Sequence, residues 1–145
     1  MNLQMKLNEL WAGIIENFEF NFLKHAITLK IKTIDNGIEK KYNVVFGEVA
    51  SHFFLENKGQ ERLNLVLYDE GDYLELTSID YYEGGVGNII VKSSHNWAEQ
   101  YYSSANFILE IWNSMLFVEA RVITINGEVF EIDYPREVVK KTNIT

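Results

Sequence analysis

The three histidines are the side chains of this sequence that could ligate a metal ion or act as a base near neutral pH. His25, His52 and His95 lie far apart along the chain, and no pair has the HxH or HxxxH spacing of a local metal site. The absence of cysteine excludes disulfides, zinc–thiolate sites and thiol nucleophiles. Ser51 and Ser94 each precede a histidine, but adjacent residues of a strand point to opposite faces. We therefore expect no catalytic residues, no metal ligands and no cofactor.

The carboxylates offer two further kinds of chemistry, general acid–base catalysis and calcium binding. Glu75, Asp80 and Glu83 are close in the sequence, yet nothing in their spacing indicates that they converge across a cleft as a glycosidase pair does. The acidic run from Asp69 to Asp72 lacks the spaced oxygen ligands and the distal glutamate of an EF-hand loop. The sequence therefore favours a protein that is not an enzyme.

An acidic segment rich in tyrosine is the most distinctive surface that the sequence predicts. Residues 63–91 contain no lysine or arginine, while acidic residues and tyrosines are interleaved there. Tyrosine brings contact area at a low entropic cost, and a negative field steers a basic partner towards its site. The alternative is a solvated acidic face that aids solubility alone. The partner-binding residues predicted from this segment are Tyr68, Asp69, Asp72, Tyr73, Glu75, Asp80 and Tyr82.

The length and composition limit the kind of protein that must position these side chains. The chain has 145 residues, a net charge of −8, 47% hydrophobic residues and one proline, which describes a globular chain without an evident linker. We expect a single β domain over residues 1–135 and a short basic tail over residues 136–145. The acidic balance argues against a nucleic-acid partner. No apolar run reaches the length of a membrane span and no secretory signal is visible, so we expect a cytoplasmic protein without a membrane partner.

The first residues have the spacing of a helix. Asn2 is the expected N-cap and Gly13 the expected C-cap. The residues that share one face of this predicted short helix are Leu3, Leu7, Leu10, Trp11 and Ile14.

From residue 17 the apolar period changes from 3.6 to 2, which is typical of strands with one buried face. Phe18, Phe20 and Phe22 follow this alternation. We expect these three side chains to point into the core, where the loss of Phe20 would cost as much stability as the loss of other buried aromatic residues.

Two Asn-Gly pairs predict tight hairpins, because this dipeptide suits a two-residue type I′ turn. A turn at Asn36-Gly37 fixes a register with three apolar pairs on one face. These pairs are Ile27 with Phe46, Leu29 with Val44, and Ile31 with Tyr42. A turn at Asn126-Gly127 pairs Ile123 with Phe130 in the same way.

Two further segments carry patterns without an Asn-Gly turn. Leu63, Leu65 and Leu67 alternate with other residues, and a turn at Glu70-Gly71 would pair Leu65 with Leu76 and Leu67 with Leu74. Residues 96–116 fit either one long helix or a short helix over 97–103 followed by a strand over 106–112. The second interpretation agrees better with the β-patterned surroundings.

Many short strands joined by hairpins imply a mainly β fold with one or two short helices. The architecture expected is an antiparallel sandwich or a partly closed barrel.

Several stretches of the sequence resemble a family of small bacterial proteins, the YxiG-like proteins. The resemblance covers most of residues 7–132 and rests on Leu10-Trp11, Ile15-Glu16-Asn17-Phe18, Tyr73-Leu74-Glu75-Leu76-Thr77-Ser78-Ile79-Asp80-Tyr81-Tyr82, and Ala105-Asn106-Phe107 through Glu110-Ile111-Trp112. These are family fingerprints without assigned chemistry, so no catalytic residue is carried over. The resemblance implies proteins encoded near polymorphic toxins, where small acidic neighbours are often immunity proteins.

The sequence leaves functions of different classes open. The expected one is a non-catalytic protein-interaction module, such as an acidic immunity protein that binds and neutralises a basic toxin domain. The alternative is a small-ligand-binding β-barrel or sandwich with an aromatic-lined pocket. Exposed tyrosines beside the acidic residues would favour the first function, and aromatic residues around a cavity would favour the second.

Overall fold

The computed structural model describes residues 2–65, 67 and 69–135. The predicted tail over residues 136–145 and the site residue Tyr68 lie outside the described residues. Over these described residues the chain is mainly β, with one α-helix, α1 (Leu3–Asn8), and one 3-10 turn (Ala98–Gln100). The strands are β1 (Gly13–Asn21), β2 (Ala26–Asp35), β3 (Ile38–Gly47), β4 (Ser51–Leu55), β5 (Glu75–Tyr81), β6 (Gly87–Ile90), β7 (Tyr102–Ala105), β8 (Phe107–Ile111), β9 (Ser114–Glu119), β10 (Val122–Ile125) and β11 (Glu128–Glu131).

Nine of these strands form one antiparallel sheet in the order β11-β10-β3-β2-β1-β5-β8-β9-β4. The sheet is not closed, because β11 and β4 remain its two edges. The rings of Phe46 on β3 and Phe107 on β8 meet edge to face with centroids 5.0 Å apart, although these strands are not neighbours. The sheet therefore folds over and buries one face against itself, which confirms the predicted antiparallel β architecture.

The first predicted hairpin is confirmed with its register. Asn36 and Gly37 adopt φ angles of +50° and +77°, as a type I′ turn requires. All three predicted apolar pairs form between β2 and β3, and their six side chains are buried. The Asn126-Gly127 hairpin is confirmed as well, with Ile123 paired to Phe130.

Helix α1 begins where the sequence predicts and ends earlier. The Met5 amide donates to Asn2 Oδ1 at 2.8 Å, so Asn2 is the N-cap. The predicted C-cap at Gly13 is wrong, because the helix ends at Asn8 and Ala12 takes the left-handed conformation with φ +63°. Gly13 instead starts β1, where a Cβ would lie 2.6 Å from Ile31 Cγ2.

The helix also covers part of the edge of β5. Gln4 accepts a hydrogen bond from the Tyr81 amide at 3.0 Å, and its Nε2 donates to the Ile79 carbonyl at 3.5 Å. Trp11 Nε1 donates to the same carbonyl at 3.0 Å. These side chains take the place of a neighbouring strand, so backbone groups of β5 that β1 does not reach are still satisfied.

The two-stranded sheet of β6 and β7 packs against the outer face of β9. Ser103 Oγ and the Ser104 amide donate to the two carboxylate oxygens of Glu119 at 3.1 and 3.3 Å. Glu119 is 7% exposed, and these donors compensate for burying its carboxylate.

The predicted hairpin around Glu70-Gly71 is wrong. Residues 56–65, 67 and 69–74 lie outside any strand, and Leu63, Leu65 and Leu67 are exposed. Leu76 is buried on β5 and pairs with Ile111 instead of Leu65. The alternating leucines have the period of a strand, but no strand pairs with them among the described residues.

Residues 96–116 follow the second predicted interpretation. A 3-10 turn replaces the short helix, and Phe107, Leu109 and Ile111 are buried on β8 as expected for the strand. Trp97 occupies the N-cap position of this turn without a side-chain hydrogen bond.

Candidate functional site

A β-bulge in β1 determines where its phenylalanines point. Ile15 pairs with Ile31 and Asn17 pairs with Lys30, which leaves Glu16 as an extra residue on β1. Such a residue shifts the alternation of the strand by one position. Phe18 therefore faces the same side of the sheet as Ile15.

The three phenylalanines face the inner side of the sheet, yet two of them are not covered. Phe18 is partly buried against the core, whereas Phe20 is 41% exposed and Phe22 is 74% exposed. The expectation that all three lie in the core is therefore wrong. Its physical reason lies beside β1, because β5 begins at Glu75 opposite Ile14 and, among the described residues, no strand continues along residues 17–21.

Side chains from the far part of the sheet form the opposite wall. His52 and Phe54 project from β4, and the His52 ring lies 5.1 Å from the Phe20 ring and 6.1 Å from the Phe22 ring. An open groove of about 660 Å³ separates the two walls. We call it the phenylalanine groove, and its lining residues are Phe18, Phe20, Phe22, His52, Phe54, Leu74, Ile111 and Leu116.

The acidic turn that precedes β5 lies at one end of this groove. Asp69, Asp72, Tyr73 and Leu74 line a hollow of about 240 Å³, and Leu74 also lines the phenylalanine groove. The turn is held by hydrogen bonds from the Asp72 amide to the Asp69 carbonyl at 3.1 Å and from the Asp69 amide to Asp72 Oδ2 at 2.6 Å. Tyr73 is 50% exposed beside these carboxylates.

The structure separates the other residues of the predicted partner-binding segment. Glu75 starts β5, where it accepts a hydrogen bond from Thr77 Oγ1 at 3.2 Å. Tyr82 is 41% exposed just beyond the other end of β5, so the seven residues of that strand separate it from the acidic turn. The predicted tyrosine-bearing residues are therefore not all brought together on one surface.

Asp80 lies on the outer face of β5, away from the groove. Its Oδ1 accepts a hydrogen bond from Gln4 Nε2 at 3.2 Å. Burial raises the pKa of Asp80, and the nearby Glu110 carboxylate adds to the rise while the Gln4 hydrogen bond opposes it. Glu110 is itself bonded to Ser78 Oγ at 3.2 Å. Asp80 and Glu110 therefore each accept a hydrogen bond from a neighbouring side chain, and their carboxylates do not line an open cleft.

A second, more polar hollow of about 720 Å³ lies at the Tyr82 end of the molecule. Its lining includes Tyr81, Glu83, Glu131 and Asp133. Burial raises the pKa of the Tyr81 hydroxyl, and the charges of Glu83 and Asp133 raise it further. Exposed carboxylates are solvated by water and need no ligand. Exposed phenylalanine rings gain no comparable solvation.

The chemistry available at the phenylalanine groove is that of binding. His52 is the polar member of its lining and stacks against phenylalanine rings. Within the described residues, no group of three or more histidine, aspartate or glutamate side chains is arranged to hold a metal ion. No helix in that part of the chain is long and apolar enough to cross a membrane.

The sequence predicts part of one wall of the groove, but it does not predict the groove itself. The pattern that indicates this wall is the alternation of phenylalanines on β1, which is equally typical of a strand that faces the core. Phe54 and His52 lie on β4, and their approach to β1 depends on how the whole sheet folds over. No local pattern in the sequence indicates that approach.

These features define an antiparallel β-sheet protein with an open apolar groove beside an interior strand. A model of the family described as YxiG-like protein matches residues 3–130 of the chain. The chain therefore belongs to the YxiG-like protein family, which confirms the resemblance found in the sequence. The Bacillus subtilis (strain 168) protein named "Uncharacterized protein YxiG" is similar to this chain, with 24% identity over 136 residues that cover 90% of this chain and 94% of the relative.

Proposed function

We propose that this protein is a non-catalytic interaction module that binds a basic protein partner through the phenylalanine groove. The observation that carries the proposal is the groove itself, where Phe20 and Phe22 remain exposed beside a cavity of about 660 Å³. Contiguous exposed apolar surface of this kind is typical of binding sites. An apolar segment of the partner would cover these rings.

Aromatic side chains in a groove can contribute much of a binding energy. Hot spots of interfaces are rich in aromatic residues that fill well-packed pockets and become fully desolvated on binding. The Phe18 and Phe20 rings are stacked with centroids 5.9 Å apart, so part of this surface is already ordered before a partner arrives. A pre-ordered surface loses less conformational entropy on association.

The charge around the groove favours a basic partner. The chain carries a net charge of −8, and Asp69 and Asp72 lie at the Leu74 end of the groove. Glu56 directly follows β4 and is exposed. A negative field of this kind accelerates the association of a positively charged protein and suppresses acidic competitors.

The predicted immunity role is one form of this proposal, in which the partner is a basic toxin domain in the cytoplasm. The predicted small-ligand function uses the same groove with a different occupant. A volume of about 660 Å³ lies within the usual range of ligand pockets, roughly 300–1,000 Å³. The acidic turn at the end of the groove favours the basic protein partner over an uncharged small molecule.

A peptide selection tests this function and does not require the natural partner. A library of random peptides is selected on the wild-type protein, and the retained peptides are then tested for binding to the double variant Phe20→Ala/Phe22→Ala. We expect the retained peptides to combine two or more large apolar residues with lysine or arginine. Tyr101→Ala is the matched control, because Tyr101 is 68% exposed and does not line the groove.

The outcome distinguishes the two occupants. Retained peptides that bind the Tyr101→Ala control but lose binding to the double variant support the interaction module. Enrichment of acidic peptides, or equal binding to the double variant, refutes the proposal. If no peptide is retained and anilinonaphthalene sulfonate, an aromatic dye that fluoresces on apolar surfaces, binds the wild type but not the double variant, the small-ligand function is preferred.

A further inference from the structure

Among the described residues, no strand pairs with one edge of β1 next to the phenylalanine groove. β2 pairs with β1 as far as Asn21, whereas the ladder with β5 covers Gly13 and Ile14. The Ile15 amide donates to the Leu74 carbonyl at 2.8 Å, and among the described residues no strand continues this ladder along residues 17–21. Five residues of open edge correspond to roughly 16 Å of strand.

The acidic turn explains why the edge is open. If the antiparallel register of Gly13 with Leu76 continued, the residues before Leu74 would lie along the rest of β1. The hydrogen bonds between Asp69 and Asp72 close a turn at that point instead. The chain therefore leaves β1 where the groove begins.

An open edge inside a sheet is a template for strand addition. Proteins usually protect such edges with charges, proline or a covering element, as Gln4 and Trp11 do for β5 here. Beside residues 17–21 lies an uncovered groove lined by side chains of the same strand. Main-chain pairing gives affinity in this mode, and pockets for alternate side chains give specificity.

We propose that the partner segment is an extended strand that adds to the open edge of β1, antiparallel to it. Every second side chain of this strand enters the phenylalanine groove, and its basic residues lie at its C-terminal end. This inference rests on the proposed function and specifies the conformation and direction of the bound segment.

The direction follows from the position of the charges. The N-terminal end of β1 lies beside Leu74, where Asp69 and Asp72 are found, while Lys24 and His25 follow its C-terminal end. A strand antiparallel to β1 has its C-terminal end beside the two aspartates. Antiparallel addition continues the pairing that β1 already makes with β5 at Gly13 and Ile14.

Two capped, fluorescein-labelled peptides test the direction. The first has five residues of alternating isoleucine and threonine followed by two lysines, and the second has the two lysines at its start. We expect the first peptide to bind several-fold more tightly by fluorescence anisotropy, with the difference reduced in high salt and in Asp69→Asn/Asp72→Asn. Tighter binding of the second peptide overturns the antiparallel arrangement.

Backbone methylation tests strand addition itself. In an added strand, the amides of the isoleucines and those of the threonines point in opposite directions, so one set faces β1. Methylating two amides of the set that faces β1 removes two hydrogen bonds, and we expect a loss of affinity of about tenfold or more. Methylating the opposite set should leave the affinity nearly unchanged. Similar affinities for both methylated peptides overturn the inference.

Amide hydrogen exchange provides the second readout. On binding the first peptide, the amides of residues 17–21 that do not pair with β2 should become protected. Protection of the same amides in the free protein means that the edge is already occupied, and protection on β4 in place of β1 identifies another edge. Either result overturns the inference.

Failure of this inference and failure of the proposed function give different results. If neither peptide binds, or if both bind Phe20→Ala/Phe22→Ala as well as wild type, the groove is not a site for apolar basic segments. If the peptides need the phenylalanines but show no methylation asymmetry, the groove binds side chains and β1 adds no strand.

Discussion

Replacing phenylalanines of the groove and of the core one at a time measures whether the groove is open in solution. Phe46 is fully buried, whereas Phe20 is 41% exposed and Phe22 is 74% exposed. All three are changed to alanine in separate variants, so the chemistry removed is the same and the burial differs. The measured quantity is the change in the free energy of unfolding.

The magnitudes follow from the buried fraction of each side chain. Phe46→Ala leaves a cavity beside Phe107 and should cost about 3–5 kcal/mol, as large-to-small changes in cores do. Fully burying a phenylalanine contributes about 1.5–3 kcal/mol, so Phe20→Ala should cost about 1–2 kcal/mol and Phe22→Ala less than about 1 kcal/mol. Water fills the space that the two groove variants vacate, so no cavity cost is added.

The assay is equilibrium unfolding in urea, followed by tryptophan fluorescence and by circular dichroism. Coincident transitions in both signals establish the two-state behaviour on which the comparison depends. We expect similar m-values and midpoints in the order wild type, Phe22→Ala, Phe20→Ala, Phe46→Ala, from highest to lowest.

Equal costs for Phe20→Ala and Phe46→Ala would refute this reasoning. Such a result would mean that Phe20 is buried in solution and that another part of the chain closes the groove. The proposed binding site would then be absent from the free protein.

Three other variants test separate features of the fold, each by the same unfolding measurement. Gly37→Val should cost about 1–2 kcal/mol from backbone strain at φ +77° alone, since nothing lies within 4 Å of the position that the added Cβ would take. Gly84→Val is the control, because the surroundings of Gly84 are equally open and its φ is not positive. Asn106→Ala should cost about 2–4 kcal/mol, because this fully buried side chain bonds both the amide and the carbonyl of Ala120 at 3.1 and 2.8 Å, and a cost below about 1 kcal/mol would contradict that role. Asp80→Asn should stabilise the protein at pH 7 but not in strong acid. The pKa of Asp80 is raised in the folded state, so the wild type loses stability as the pH rises through that pKa. An effect of the substitution that does not depend on pH would contradict this prediction.

The parts of the fold that the sequence predicted are those determined by neighbouring residues. Asn36-Gly37 favours a single turn, and that turn fixes the register of two ten-residue strands without information from elsewhere. Asn2 caps its helix for the same local reason. A local pattern of this kind predicts an element together with the residues that it contacts.

The errors concern partners that are distant in the sequence. The alternation at Leu63, Leu65 and Leu67 has the period of a strand, but the period alone does not show whether another strand pairs with it, and none does among the described residues. Likewise, Phe18 and Phe20 face inwards because of a single bulge at Glu16, and Phe20 stays exposed because the chain before Glu75 turns away from β1.

The acidic residues illustrate a third limit of prediction from sequence. Asp69, Asp72 and Asp80 all lie in residues 63–91, the stretch of sequence that contains no lysine or arginine. The intervening strand β5 carries Asp80 away from the acidic turn and onto the outer face of the sheet. Residues that are close in the sequence therefore need not lie on the same surface of the protein.

The position of β3 in the sheet has a consequence for the order in which a nascent chain can fold. β1, β2 and β3 are consecutive in the sequence and can pair while synthesis continues, but the other edge of β3 pairs with β10. Residues 44–47 must therefore wait for residues 122–125, which are synthesised much later than β1, β2 and β3. Until then the early hairpins present an unpaired apolar strand edge, so a pause in translation before residue 122 lengthens the period in which the nascent chain is prone to aggregate.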